Sequence, residues 1–331
     1  MSIFKFCGSF VQDPYERENQ SGCDTYVFPN VSQCGCCSFS EACNVDTALE
    51  FTCFPGRTTR KAIMLSVLFG QASDPGKLRP NNEDAMGTFV PKSRQEAQSH
   101  GWMFVVADGV GGLNFGDIAS AKTVDVMVKE FALAPPGTSL VSLLPRLVQF
   151  ANAAVHDEGL HPGRRGKRMA TTVVSCALRH DQAVISHVGD SRCYHVRRGK
   201  AVAVTRDHTL VKEQRRLGLI SEAEAEHSEI RHILTRSLGP ERFVSADTTT
   251  LTLKAGDILV LCSDGLYGGM YDENIARICS QEKEIQEIAD ELVRYAIEVD
   301  GSDNATAQVI SICSVEPMAM YRGRPYRIPG I

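Results

Sequence analysis

Three short apolar runs, each closed by an aspartate in a turn, limit what this chain can fold into more than any other feature. Trp102 to Ala107 runs into Asp108-Gly109, Ala183 to Val188 into Gly189-Asp190-Ser191-Arg192, and Ile258 to Cys262 into Ser263-Asp264-Gly265. Each run has the length and residue types of a strand, and each ends on a turn signal. Strands this apolar belong in the interior of sheets. A carboxylate at the end of a buried strand is costly to desolvate, and several gathered together repel one another. Bound divalent cations supply the compensation. Any single Asp-Gly pair is an ordinary turn; the order and spacing of the whole set carry the signal.

Two further segments join the pattern. Gly301-Ser302-Asp303-Asn304 precedes the strand-like Ala307 to Ile312, and Arg79-Pro80-Asn81-Asn82-Glu83-Asp84 forms a loop before Ala85. The carboxylates are spread over more than 200 residues, so only a folded sheet brings them together. A donor set of Asp, backbone carbonyl and water suits Mg²⁺ or Mn²⁺ and argues against zinc, for which His and Cys are expected. Two ions in an oxygen-rich centre hydrolyse phosphate esters by generating a nucleophile at neutral pH and neutralising the transferred group.

These pieces resemble the type-2C, metal-dependent protein phosphatases (the PPM family) in the family's own order: Arg79-x-x-x-Glu83-Asp84-Ala85, Asp108-Gly-Val-Gly-Gly112, Gly189-Asp-Ser-Arg192, Thr205-Arg-Asp207-His208, Ser263-Asp-Gly-Leu266 and Asp303-Asn304. The stretch Thr205 to Gly239 looks like the flap segment of the bacterial-type branch. The resemblance implies an α+β fold, a four-layer α-β-β-α sandwich with two central antiparallel sheets. It also implies roles. Asp108 bridges two metals and Gly109 offers its carbonyl. Asp264 and Asp303 complete one metal's protein ligands, Glu83 and Asp84 reach the other through water, and Asp190 with Asp264 holds a third ion. Arg79 clamps the substrate phosphate. The implied reaction is one-step attack by a metal-bridging hydroxide on phosphoserine or phosphothreonine, without a phosphoenzyme. Animal-type members carry a histidine after the Asp-Gly where this chain has Val110, which supports the bacterial branch and leaves a bound water or His208 as alternative proton donors.

Periodicity supports the same architecture. Ile118, Ala121, Val124, Val128 and Phe131 recur at helical spacing, and Leu140 to Val155 repeat the pattern. Alternation across Thr248 to Leu253, with a turn at Lys254-Ala255-Gly256, predicts a hairpin into the strand that carries Asp264. A helix is expected over Val211 to Leu217, followed by a capping box from Ser221 to Glu224. His187, inside an apolar strand, reads as a core residue.

The domain plan follows from texture. Of the 12 cysteines, seven lie in the first 53 residues, where no periodicity is sustained. Residues 1–63 are expected to be a Cys-rich, poorly ordered extension, 64–314 the catalytic domain and 315–331 a short, disordered basic tail. The later cysteines sit in apolar runs, as reduced thiols do, which suits a cytoplasmic location. A net charge of −5 argues against nucleic acid as a partner, and no apolar run approaches the ~20 residues of a membrane span. Expected partners are phosphoprotein substrates, with a cognate Ser/Thr kinase, and the chain is expected to be a monomer. None of the cysteines is followed by an arginine six residues on, so a cysteine-dependent phosphatase is excluded. A non-catalytic interaction module would have lost metal aspartates, and all are present. A phosphatase for small molecules would share the same ligand set.

Overall fold

The computed structural model describes residues 64–110, 115–161, 169–221, 224–225, 228, 230, 232–316, 318–321 and 324–327. The expectations for residues 1–63, and for Gly111 and Gly112, lie outside the described residues.

Two antiparallel sheets of five strands form the centre. The first has the order β1-β10-β9-β6-β7, from β1 (Ser66–Asp74), β10 (Ala305–Ser314), β9 (Ile258–Cys262), β6 (Arg192–Arg197) and β7 (Lys200–Ala203). The second runs β2-β3-β4-β5-β8, from β2 (Asp84–Phe89), β3 (Trp102–Asp108), β4 (Val173–Arg179), β5 (Gln182–Val188) and β8 (Asp247–Thr252). The three apolar runs become β3, β5 and β9, each flanked by a neighbour on both sides. Successive side chains of a strand point to opposite faces, and the core follows that parity. Met103, Val105 and Ala107 pack under helices, whereas Phe104 and Val106 face the other sheet, where they meet Leu259, Leu261, Ile310 and Ile312.

Helices α2 (Gly116–Leu133) and α3 (Leu140–Gly159) cover the second sheet with Met127, Phe131, Leu144 and Leu147. Short α1 (Arg94–Ser99) starts at Ser93, whose hydroxyl accepts the Glu96 amide at 3.1 Å. Across the molecule, α6 (Asp272–Cys279) and α7 (Ile285–Val299) bury Ile275, Ile278, Leu292 and Val293 against Val260 and Val309 of the first sheet. The layers are therefore α-β-β-α. Between them, α4 (Leu210–Arg216) opens the flap and α5 (Asp264–Tyr267) follows β9 directly. The Ser221–Glu224 capping box is present: the Ser221 hydroxyl accepts the Glu224 amide at 3.3 Å, and Glu224 Oε2 accepts the Ser221 amide at 2.8 Å.

Three expectations are corrected. β8 and β9 do not pair as a hairpin but lie in different sheets. The turn between them is held by other partners: Asp257 accepts the Lys254 amide at 2.7 Å and takes Arg197 through both oxygens, and the Gly256 amide reaches Ile312 O at 2.8 Å. In the tail, β11 (Met318–Tyr321) pairs antiparallel with β12 (Arg324–Arg327), so these eight residues are strands and not coil. Among the later cysteines Cys313 is exposed, while Cys176, Cys193, Cys262 and Cys279 are buried.

Candidate active site

The register of the sheets delivers the predicted carboxylates to one end of the sandwich. β2 and β3 align Asp84 directly with Asp108. In the first sheet Cys262, two residues before Asp264, sits between Arg192 and Ala307, so the turns bearing Asp190, Asp264 and Asp303 emerge together. The loop 75–83 crosses from the first sheet to the second beside them; the Lys77 amide reaches Gly301 O at 2.7 Å. A cleft of about 1290 Å³ opens there, lined by Arg79, Asp108, Gly109, Asp190, Asp264 and Asp303 among others. Glu83 and Asp84 are not among its lining residues.

The electrostatics record the crowding. Desolvation, with the charges of Asp84, Asp264, Asp190 and Asp303 around it, pushes Asp108 well above the ordinary carboxylate range. Desolvation lifts Asp84 to about 7, against hydrogen bonds that favour its ionised form. Asp190 is lifted to about 7 by desolvation and by Asp264, and burial also raises Glu83. Asp84 Oδ2 accepts the Ser263 hydroxyl at 2.7 Å, but its Oδ1 is buried without a hydrogen-bond partner. Arg79 Nη2 rests on Asp303 Oδ2 at 2.7 Å. It is the one cation among the described residues that pairs with a predicted ligand at hydrogen-bond distance.

Gly109 owes its identity to close packing as well as to an open carbonyl. A Cβ there would lie 2.4 Å from the Gly116 backbone and 2.8 Å from Glu83 O, so any side chain would push the start of α2 off the site.

Several residues that position the cluster were not assigned a role in the sequence. Asn304, nearly buried, accepts the Glu83 amide at 2.8 Å and donates to Pro75 O at 2.9 Å and Asn81 O at 3.0 Å, which ties the Arg79 loop to the Asp303 turn. Thr172 accepts the Asp108 amide at 3.2 Å and shares a 2.6 Å bond with the Ser191 hydroxyl, linking the ends of β3 and β5. Tyr267 donates to Asp190 O at 2.9 Å, and the Arg192 guanidinium lies 3.5 Å above its ring. The Asp-Asn dipeptide before a strand was the only signal for Asn304; Thr172 and Tyr267 had none.

His187 is buried and bonds Arg206 O at 2.8 Å, as a core histidine. His208 is also buried: Nδ1 accepts the Gly189 amide at 3.1 Å and Nε2 faces Asp247 at 3.3 Å, so neither nitrogen is open to a substrate. These two histidines and Asp247 form a cluster able to hold a metal ion, with ligand atoms within 4.8 Å of one another. It lies behind the Asp190 turn, apart from the carboxylates of the cleft.

Comparison with known proteins gives the same answer as the geometry. The family model described as Protein phosphatase 2C matches residues 81–299. The serine/threonine phosphatase stp of Listeria innocua is 32% identical over 257 residues, which is 76% of this chain and 96% of that protein. Protein phosphatase PhpP of Streptococcus pneumoniae is 30% identical over 246 residues, covering 72% and 95%. Among solved structures, Stp1 of Staphylococcus aureus superposes with a TM-score of 0.68 at 29% identity, covering 78% of this chain and 99% of that one. PstP of Mycobacterium tuberculosis superposes with a TM-score of 0.66 at 29% identity, covering 76% and 100%. Over its catalytic fold, this chain belongs to the bacterial branch of the protein phosphatase 2C (PPM) family of metal-dependent serine/threonine phosphatases.

Proposed function

We propose that Asp108, Asp190, Asp264 and Asp303, with the Gly109 carbonyl and with Glu83 and Asp84 behind them, hold Mn²⁺ or Mg²⁺, two ions and a third shared by Asp190 and Asp264. The observation that carries this reading is the convergence of carboxylates from both sheets on one cleft, opposed there by Arg79. The residues fit such ions: all donors are oxygen, three carboxylates are lifted by desolvation and mutual repulsion, and one buried oxygen of Asp84 lacks a partner. When bound, the ions supply Lewis acidity and a water nucleophile at neutral pH.

The protein's own part is positioning. Arg79 offers the phosphate a planar fork of donors and turns away from Asp303 to do so. Leu78 and Tyr271, 75% and 79% exposed at the cleft, give apolar rests for the chain on either side of a phosphoserine or phosphothreonine. Substrates are phosphoproteins. The resemblance further supports opposition to a Ser/Thr kinase and residues 64–314 as the catalytic domain flanked by a 1–63 extension, and the buried free cysteines support a cytoplasmic location.

The test is release of phosphate from p-nitrophenyl phosphate and from a phosphothreonine peptide with Mn²⁺, with EDTA, and with Asp264→Asn. Activity that needs Mn²⁺ and falls at least about 100-fold in the variant is expected, since the ions carry several kcal/mol of the barrier. Activity that survives EDTA, or that Asp264→Asn retains, overturns the assignment.

A further inference from the structure

The turn that aims Asp190 is held from behind by one imidazole, and we infer that His208 is a positioning residue for the Asp190 carboxylate. Gly189, which immediately precedes Asp190, has φ +102°, and a Cβ on it would lie 2.6 Å from the Thr172 side chain. Its path is therefore set by its neighbours. Both of its main-chain groups bond residue 208: the Gly189 amide donates to His208 Nδ1 at 3.1 Å, and the His208 amide donates to Gly189 O at 2.9 Å. The amide of the glycine that orients Asp190 thus ends on a side chain.

The ring is fixed on its other sides. His187 stacks on it with centroids 4.8 Å apart and planes at 15°. Nε2 faces Asp247 Oδ2 at 3.3 Å. Because Nδ1 accepts a peptide N–H, the neutral ring carries its proton on Nε2, and Asp247 holds that tautomer. Arg236 Nη1 donates to Asp247 Oδ1 at 2.8 Å, keeping the carboxylate in place, and the Thr235 amide donates to His208 O at 2.8 Å. In this structure Arg236, 3.3 Å from His208 Nε2, supplies the positive charge of the His187, His208 and Asp247 cluster. The imidazole therefore bridges the exit of the flap, at Thr235 and Arg236, to the Gly189-Asp190 turn.

The two nitrogens can be tested separately. Asn places an acceptor near the position of Nδ1 and does not reach Asp247; Gln reaches toward Asp247 and leaves the Gly189 amide without its acceptor. The inference rests on Asp190 as a metal ligand, so the first readout is taken without metal: amide exchange at Gly189, with the melting temperature as a check on folding. Exchange at Gly189 is expected to be at least about tenfold faster in His208→Gln, the loss of roughly one hydrogen bond, and within about threefold of the parent in His208→Asn. The second readout is Mn²⁺ binding followed by the resonance of the free ion. The weakest-bound Mn²⁺ is expected to need at least about fivefold more ion in His208→Gln than in His208→Asn, with kcat reduced and KM little changed. If Asn and Gln exchange alike at Gly189, the imidazole only fills space and the inference is wrong. If exchange differs as expected but Mn²⁺ binding does not, the anchoring does not reach Asp190, and the positioning role is refuted. Absence of Mn²⁺ binding in the parent protein would instead refute the metal assignment, with the Gly189 result standing apart from it.

Discussion

Asn304→Ala removes the side chain that ties the loop 75–83 to the Asp303 turn at three points. In the parent it accepts one bond, from the Glu83 amide, and donates two, to Pro75 O and Asn81 O, all between 2.8 and 3.0 Å. It is 5% exposed, so water does not readily replace those partners. Each neutral hydrogen bond contributes about 1 kcal/mol, and a buried amide left without an acceptor costs ~1–3 kcal/mol. Allowing the two carbonyls partial access to water, the expected loss is about 2–4 kcal/mol. For a domain of this size 1 kcal/mol moves the melting temperature by ~2–4 °C, so the shift is roughly 4–16 °C. The damage is directional, because the freed loop carries Arg79 and Glu83 and leads into Asp84. The Mn²⁺ requirement is expected to rise about 10–100-fold, as it does on removing residues that orient metal ligands. Thermal melts in EDTA give the first quantity, and a Mn²⁺ titration of p-nitrophenyl phosphate hydrolysis gives the second. A melt lowered by less than about 2 °C together with an unchanged titration would refute the claim that Asn304 holds the loop.

Three further outcomes are expected. Arg79→Lys loses the two-pronged contact with phosphate, so KM for a phosphopeptide rises about tenfold while the Mn²⁺ titration stays near the parent curve; an unchanged KM would remove Arg79 from the phosphate site. Mn²⁺ binding releases protons at neutral pH, because Asp84 and Asp190 sit at about 7 in the metal-free protein. A raised carboxyl is still partly protonated there and must ionise to bind, so affinity rises as pH passes from 6 to 8; calorimetry in two buffers of different ionisation enthalpy reads the protons, and a pH-independent affinity would contradict the crowding of the cleft. N-ethylmaleimide should label exposed Cys313 in the native protein before buried Cys176, Cys193, Cys262 and Cys279. Burial raises the thiol pKa of each of those four, which lowers thiolate content; peptide mapping that finds Cys193 modified as early as Cys313 would show the sandwich core opening.

What the sequence made legible depends on how local the deciding forces are. β3, β5 and β9 were readable because an apolar run that is buried on both faces announces itself within seven residues, and the Asp that ends it is adjacent. The β8–β9 hairpin was misread because an alternating pattern and a turn say nothing about which partner a strand takes. Here β8 pairs with β5, β9 with β10 and β6, and the turn is satisfied by Arg197 and Ile312. Composition misled at the tail, where Arg, Pro and Gly suggested coil although Met318–Tyr321 and Arg324–Arg327 pair as strands. The reach of Asn304 was not legible, since its partners lie 221 to 229 residues away in the chain.

The side chains that hold the cleft together share one property that its chemistry explains. Asp84 and Asp108 stand directly opposite in an antiparallel pair, where like charges destabilise a sheet. The usual remedy would be an arginine or lysine on each carboxylate. Instead the supports are neutral: Ser263 on Asp84, Thr171 and Thr172 on the Asp108 backbone, Tyr267 on the Asp190 carbonyl, and Asn304 on Glu83. Arg192, close enough to neutralise Asp190, is committed to Asp207 through two bonds of 2.9 and 2.6 Å and to the face of Tyr267. A fixed cation on these carboxylates would compete with metal ions for the same oxygens, whereas neutral hydroxyl and amide groups, some donating and some accepting, hold the turns in place and leave the charge uncompensated. Arg79 is the exception, and its partner Asp303 is only half-buried, its own guanidinium 38% exposed, so that contact can open at small cost. On the proposed reading the charge of these crowded carboxylates calls for bound ions, and Arg79, which can leave Asp303, meets the phosphate.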